Sequence, residues 1–557
     1  MNWRAVAPGI RATLAASALL LLACGPGQDA PAGAPPVTPQ YGGVIQFAAI
    51  AAVNTLDLHR EATLGPGANA FFAPIYEMLV ENRQDHPLDD FRASGELKGQ
   101  LAERWEQPDS LSYVFHIRRG VKWHPAGPGP AGQELSAHDV KFSFDRVRDP
   151  ANNFTSGQDI LSGVTAVDVV DDYTVKLTRR TPAPEFLRTL TGNGVAILPK
   201  HLADRGEDYG KVAAGTGPFK LQSFEPQKEM RHVRNDQYWQ PGKPYANGIR
   251  VIVGLERSAV LAALNTGQVD FHNVTDKAQL DTILATKPDL KYHGYNAGFA
   301  RGIRFKMTMA PYDDIRVRRA IHLAIDRQEM LQTLTFGVGG INQFTTSVVK
   351  DWTIPEIDLM KLPGYRQPKE QDITEAKRLL TEAGYPNGFK ANLFYYSAFT
   401  DHPSLAEMVA GQLKRIGVEV SLKGMERATG AEANRQGAYE MTLFSNGMSE
   451  APDSGLRSTW SSKGSVGRSS GLADPELDRL IDEQSVEMDR TKRVEILRKI
   501  NQLAMDRVYL APLVSGGYFT VWQPYLHNYY LNFSGTPRLD RPADAWLDVE
   551  RMPQDRR

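Results

Sequence analysis

Leu393-Phe394-Tyr395-Tyr396, then Leu405, Met408, Val409, Leu413 and Ile416, then Gly417 and Val418-Glu419-Val420-Ser421-Leu422 set the fold class. The first block is a short apolar and aromatic run, a strand signal. The second recurs at helical spacing and supplies one apolar stripe. Gly417 stops the helix, and Val418, Val420 and Leu422 alternate as the next strand. Strand, helix and strand joined by short links make a βαβ unit, which requires parallel sheet.

Apolar spacing and capping residues predict further elements on either side. Ala376, Leu379, Leu380 and Ala383 form a helix stripe, with a capping-box-like start at Asp372 and Glu375 and a stop at Gly384 and Pro386. Val317, Ala320, Ile321, Ala324 and Ile325 form another, with Arg316, Arg318 and Arg319 assigned to the other face and Asp313-Asp314 read as its cap. Downstream, Asp474 is an N-cap with Pro475 at N1, and a further helix starts at Thr491. In the first half, strands are expected at Val44–Phe47, Tyr113–Ile117 and in a hairpin from Val164 to Leu177 turning at Asp171-Asp172. Helices are expected over Phe71–Val80, 139–147 and Leu255–Leu264. Gly215-Thr216-Gly217-Pro218-Phe219-Lys220, with Tyr238-Trp239 after it, reads as a rigid joint without chemistry of its own.

A chain of 557 residues exceeds one core, so two or three domains are expected. Lys+Arg is 64 against Asp+Glu 65, a net charge of -1 that disfavours nucleic acid as a partner. The single cysteine excludes an internal disulfide and a multi-cysteine metal site. That cysteine follows Arg4, Arg11 and an apolar run from Thr13, in Leu21-Leu22-Ala23-Cys24. The pattern resembles a bacterial lipobox: residues 1–23 form a signal peptide and Cys24 carries lipid. Residues 24–40, rich in Pro, Gly and Ala, form a flexible tether. No later run is apolar enough to span a bilayer.

Catalytic motifs fail on context. Gly127-Pro128-Gly129-Pro130-Ala131-Gly132 fits G-x-G-x-x-G, yet its prolines remove the amides a pyrophosphate needs. Gly467-Arg468-Ser469-Ser470-Gly471 fits G-x-S-x-G inside a Ser/Gly-rich loop from Ser461, without the strand and helix of a nucleophile elbow. The twelve histidines show no metal-ligand spacing, so no metal and no cofactor are expected. Acidic, aromatic and small polar residues gather at 444–460, read as one loop able to line a pocket.

These segments together resemble the extracytoplasmic solute-binding proteins of the peptide/nickel class of ABC importers, of the dipeptide- and oligopeptide-binding type. The landmarks occur in the family's order. They include Tyr41-Gly42-Gly43, Thr55-Leu56-Asp57, Leu101-Ala102-Glu103-Arg104-Trp105, Phe115 to His124 and Ala137-His138-Asp139-Val140. Gly215 to Lys220, Gly267-Gln268-Val269-Asp270, Asp314 to Ala320, and Leu379-Leu380 with Ala383 to Pro386 continue the series. The resemblance implies a non-enzymatic binding lipoprotein of the periplasm or cell surface, anchored to the membrane through Cys24. A monomer is expected, which hands its solute to an ABC permease in the inner membrane. The implied fold is α/β, a two-lobed periplasmic-binding-protein fold of class II-like type with an extra subdomain and the ligand cleft between lobes. Lobe I would take 41–297 and 518–557, with about 82–200 as the subdomain, and lobe II 298–517.

The family's dipeptide binders hold the peptide amine with an aspartate, whose position falls here on Met448. They hold the carboxylate with an arginine, whose position falls near Pro403. Glu450 and Asp453 are the available substitutes for the aspartate, and no arginine lies close in sequence to the second position. The ligand-binding candidates are Asn446, Met448, Glu450, Asp453, Trp460, Tyr395, Tyr396 and, in the early loop, Asn54. A peptide is the leading ligand. A hydrophobic, glycosidic or metal-chelate solute, or a sensing role without transport, stays open.

Overall fold

The computed structural model describes residues 38–49, 52–61, 69–82, 96–126, 132–274, 277–296, 298–345, 349–397, 399, 401–447, 452–529, 539 and 541–557. Pro39–Arg557 forms one compact unit. The signal and lipobox residues and the rest of the first 37 positions lie outside the described residues.

Three larger sheets carry the architecture. The first has seven strands, ordered Lys291–Asn296, Gly517–Trp522, Phe271–Val274, Val44–Ala48, Gly248–Ile252, Glu229–Arg234 and Phe219–Glu225. Its central strand Val44–Ala48 runs parallel to both neighbours, and the other pairings are antiparallel. The second has five strands, ordered Val418–Met425, Phe389–Tyr396, Met441–Gly447, Phe299–Phe305 and Leu510–Pro512. Phe389–Tyr396 is parallel to both neighbours, and helix His402–Lys414 crosses over to Val418–Met425. This is the βαβ unit read from the apolar periodicity. The third sheet is antiparallel, ordered Ala102–Glu106, Ser112–Ile117, Thr174–Arg179 and Val164–Asp171, with helix Ala137–Arg148 against it.

Each sheet has its own apolar core. Phe47, Phe71, Phe72, Phe219 and Phe271 gather under the seven-stranded sheet. Ile303, Phe305, Leu393, Val409 and Leu413 gather under the five-stranded sheet. Tyr113, Phe115, Val140 and Phe144 fill the third. A further core of Trp352, Trp460, Leu477, Ile481 and Ile500 joins helices Pro475–Gln484 and Arg490–Arg507. The chain passes from the seven-stranded to the five-stranded sheet between Asn296 and Phe299. It returns at Gly516, between Val514–Ser515 and Gly517–Trp522.

Several local expectations are corrected. The helix over Phe71–Val80 is a single turn, Asn69–Phe72. Pro74 supplies no amide donor to continue it. The Pro74 and Ile75 carbonyls instead accept from the amides of Phe219 (3.0 Å) and Gly217 (2.9 Å). A Cβ on Gly215 would lie 1.9 Å from the Ile75 carbonyl oxygen, so only glycine permits this approach. Arg318 is not on an outer face; it is buried and donates to the carbonyls of Tyr312 (2.7 Å), Val508 (3.1 Å) and Arg507 (3.2 Å). Asp372 is no cap: helix Glu370–Glu382 begins before it, and its buried carboxylate accepts from Gly364 N, Arg366 Nε and Lys369 Nζ. Residues 444–460 are not one loop. Strand Met441–Gly447 leads in, and helical turns Asp453–Gly455 and Leu456–Trp460 lead out. Ser465–Ser470, expected as loop, is a short helix.

Candidate ligand-binding site

In an open α/β sheet, ligands gather outside the carboxyl ends of the parallel strands. In the five-stranded sheet those ends are Tyr395-Tyr396, Met425 and Asn446-Gly447. The antiparallel strand Phe299–Phe305 brings its amino end to the same edge, with Ala300 opposite Asn446 and Arg301 opposite Ser445. Helix His402–Lys414 starts there too. From the seven-stranded sheet, the carboxyl end of Lys291–Asn296 and the amino end of Gly517–Trp522 meet beside the crossing.

Arg301 stands at the centre of this edge. It is 7% exposed and ion-pairs with Asp401, whose side chain is 37% exposed. Its Nε is buried without a hydrogen-bond partner. Gly516, at the chain's return crossing, leaves room for the guanidinium: a Cβ there would lie 2.9 Å from Arg301 Nη1. Burial pushes the Tyr518 phenol up while the Arg301 guanidinium works against that shift, which places Tyr518 beside the pair. His402 follows Asp401, and burial lowers its pKa to about 4, so the imidazole is neutral at pH 7. Its Nδ1 has no partner, and its Nε2 lies 3.5 Å from Ser445 Oγ. The Phe399 ring, 40% exposed, stands edge-on to His402 at 4.9 Å and to Tyr396 at 5.4 Å. A buried cation, unsatisfied ring and guanidinium nitrogens and an open aromatic face suit a solute with an anionic group and an apolar part.

The residues singled out in the sequence fare unevenly. Tyr396 joins this cluster and accepts from Asn434 Nδ2 at 2.9 Å. Tyr395 does not act with it. Neighbouring strand residues point to opposite faces, and Tyr395 packs over Gly424 and the sheet core. The backbone of Asn446 pairs within the sheet edge. Met448 and Glu450 lie outside the described residues. Asp453 already accepts from Gln484 Nε2 (2.6 Å) and Arg457 Nε (3.2 Å). Trp460 is buried against Phe344, ring centroids 4.1 Å apart, with its Nε1 unpartnered. Asn54 is exposed past the carboxyl end of Val44–Ala48 and accepts from Gln227 Nε2 at 2.8 Å.

No arginine lies near Pro403 along the chain, so sequence spacing alone does not point to Arg301. The structure supplies one across the sheet, held by Asp401, two residues before Pro403. The available signal was a charge in a buried strand: Arg301 and Arg304 interrupt an apolar run from Phe299 to Phe305. Among the described residues no cluster of His, Cys, Asp and Glu is arranged to hold a metal ion.

Comparison with known proteins places these features. Residues 96–468 match the model of the middle region of bacterial extracellular solute-binding proteins, family 5. The chain is 26% identical over 491 residues to heme-binding protein A of Haemophilus influenzae, covering 84% of this chain and 86% of that protein. It is 26% identical over 491 residues to the dipeptide-binding protein of Escherichia coli, covering 83% and 87%. Among solved structures, the periplasmic binding protein DppA of Helicobacter pylori with the peptide STSA superposes with a TM-score of 0.71 at 23% identity. That match covers 91% of this chain and 99% of that one. The fold is therefore the two-lobed α/β fold of periplasmic peptide-binding proteins. These relatives are solute-binding proteins and not enzymes.

Proposed function

We propose that this chain, which belongs to family 5 of the bacterial extracellular solute-binding proteins, is the substrate-binding lipoprotein of an ABC importer. It captures a peptide or peptide-like solute by hinge closure and delivers it to a membrane permease. We assign 41–297 with 518–557 to lobe I and 298–517 to lobe II; the sheet crossings, between Asn296 and Phe299 and at Gly516, lie within two residues of these bounds and support the assignment. The four-stranded sheet lies within the subdomain, about 82–200. Cys24 anchors the protein by lipid in the periplasm or at the cell surface, and residues up to 40 act as the tether.

The observation that carries the reading is the Arg301–Asp401 pair at the crossing. A guanidinium this buried needs a counter-charge. The one it has is on a third-exposed side chain, and its Nε remains open. A solute carboxylate that displaces or joins Asp401 completes the fork. Asp401, once released, is an acidic partner for a solute amine nearby. Dipeptide-binding and peptide-bound relatives support the peptide class. A heme-binding relative and the exposed Phe399 favour a second reading, a more apolar solute carrying a carboxylate.

A ligand selective for the folded state raises its melting temperature. The chain carrying Cys24→Ser, melted with a pool of short peptides, is expected to gain several degrees. No gain with any peptide, alongside a gain with another solute class, overturns the peptide assignment.

A further inference from the structure

A second polar constellation lies away from the Arg301 edge, where the four-stranded sheet's domain meets the helices Pro475–Gln484 and Arg490–Arg507. Glu185 follows strand Thr174–Arg179, and the adjacent Phe186 is anchored in the core beneath that sheet. Its carboxylate is buried. It ion-pairs with Arg493, 308 residues further along the chain and itself largely buried. The other carboxylate oxygen accepts from the Asp453 amide at 3.2 Å. Arg493 is braced from its own side, donating to the Gln484 backbone carbonyl at 3.1 Å and to Gln484 Oε1 at 3.0 Å. Gln484, fully buried, donates in turn to Asp453 at 2.6 Å. Thus Arg493, Gln484 and Asp453 form a preorganised receptor on one side, and Glu185 is the single acid arriving from the other. The contact borders a cavity of 480 Å³ lined from both sides by Glu185, Pro184, Trp352 and Arg493.

We infer that Glu185 and the Arg493–Gln484–Asp453 receptor form a latch that holds the subdomain against lobe II in the closed protein. The inference rests on the lobe division proposed above. Its logic is an asymmetry of buried charges. An intact buried pair roughly offsets its own desolvation, whereas removal of one partner leaves the other buried and uncompensated. On opening, both groups regain water. Loss of either charge therefore penalises the closed state alone and shifts the population toward the open one. Because binding competence scales with the closed fraction, apparent solute affinity falls with it.

The test needs no solute. Cys24 is the only cysteine, so a Cys24→Ser chain accepts two introduced cysteines without competition. Exposed Val170 in the subdomain and exposed Ile357 in lobe II take the spin labels. Pulsed dipolar spectroscopy on the unliganded full chain is expected to show a short-distance population. Glu185→Gln and Arg493→Gln should each deplete it by roughly tenfold relative to the long-distance one. The charge exchange Glu185→Arg with Arg493→Glu should restore at least part of it. Unchanged distributions in both single variants, or no short-distance population in the parent, overturn the latch. A cooperative thermal transition in each variant separates altered closure from failure to fold. The proposed solute class fails separately, in the peptide melting experiment.

Discussion

At the residue scale, the balance between burial and polar partners decides how single groups behave. Glu77 is fully buried, and burial pushes its pKa up to about 7 despite donation from Thr216 Oγ1 (2.8 Å), Tyr238 Oη (3.0 Å) and Trp239 Nε1 (3.1 Å). No lysine or arginine stands among those partners. A raised folded-state pKa means that Glu77 favours the folded state most below the unfolded value near 4.5. That contribution is lost as pH rises through about 7. Glu77→Gln removes the titration. Its stability relative to the parent, followed by chemical denaturation, should therefore rise by roughly 2–3 kcal/mol between pH 5 and pH 8. His59, His124 and His232 work in the opposite sense. Burial lowers each to about 4, so each favours the folded state above 6.5, and that is lost as pH falls toward 4. Three such groups outweigh one glutamate in that window. The denaturation midpoint should drop steeply from pH 6.5 to pH 4, and a flat profile there would contradict these assignments.

At the scale of elements, Gly215–Lys220 shows how one stretch can mark a fold through backbone packing alone. The Gly217 amide donates to Ile75, His124 Nε2 donates to the Gly217 carbonyl at 2.8 Å, and the Gly215 amide reaches His124 Nδ1 at 3.3 Å. Thr216 ties the same turn to Glu77, and through it to Tyr238 and Trp239. The joint clamps the Pro74–Glu77 segment that sequence periodicity assigns to a helix. Gly215→Ala forces a Cβ into the Ile75 carbonyl and should cost about 3 kcal/mol of unfolding free energy. A cost below about 1 kcal/mol would show that the segment yields. The contrast marks what local sequence can and cannot express. Leu405, Val409 and Leu413 announce their helix through spacing alone, because one buried stripe suffices to define it. Asp474 accepts from Glu476 N and Leu477 N as an N-cap should. Helical period alone misplaces Arg318 and Asp372, because their partners, Val508, Arg507, Gly364 and Arg366, come from the chain's fold. Trp460, a pocket candidate by its sequence neighbourhood, packs in the core for the same reason.

At the scale of the whole molecule, two sheets joined by two short crossings make the cleft edge also the place where the chain changes sheet. Arg301 lies three residues past Gly298 and beside Gly516, between strands Val514–Ser515 and Gly517–Trp522, so the side chain proposed to meet the solute stands next to both sheet crossings. The seven-stranded sheet is closed off by the chain's last residues. Buried Asp270 accepts from Gln46 N (2.6 Å), Tyr525 Oη (3.0 Å) and Arg556 Nη1 (2.6 Å). Arg556→Met strips the cation from that carboxylate and should lower the unfolding free energy by about 3 kcal/mol. Thermal melting of that variant checks the value. The family and the two-sheet architecture were legible in ordered short motifs spread along the chain, whereas the Arg301 pairing was not, because sheet pairing rather than sequence proximity brings its partners together.

On the proposed function, Arg301 receives a solute carboxylate. Calorimetric titration of the Cys24→Ser chain with a peptide selected from the pool, and with the same peptide amidated at its C-terminus, tests it directly. Amidation should weaken binding about thirtyfold or more, and this difference should largely vanish in Arg301→Gln. Equal affinity for the free and amidated peptides in the parent protein would contradict it.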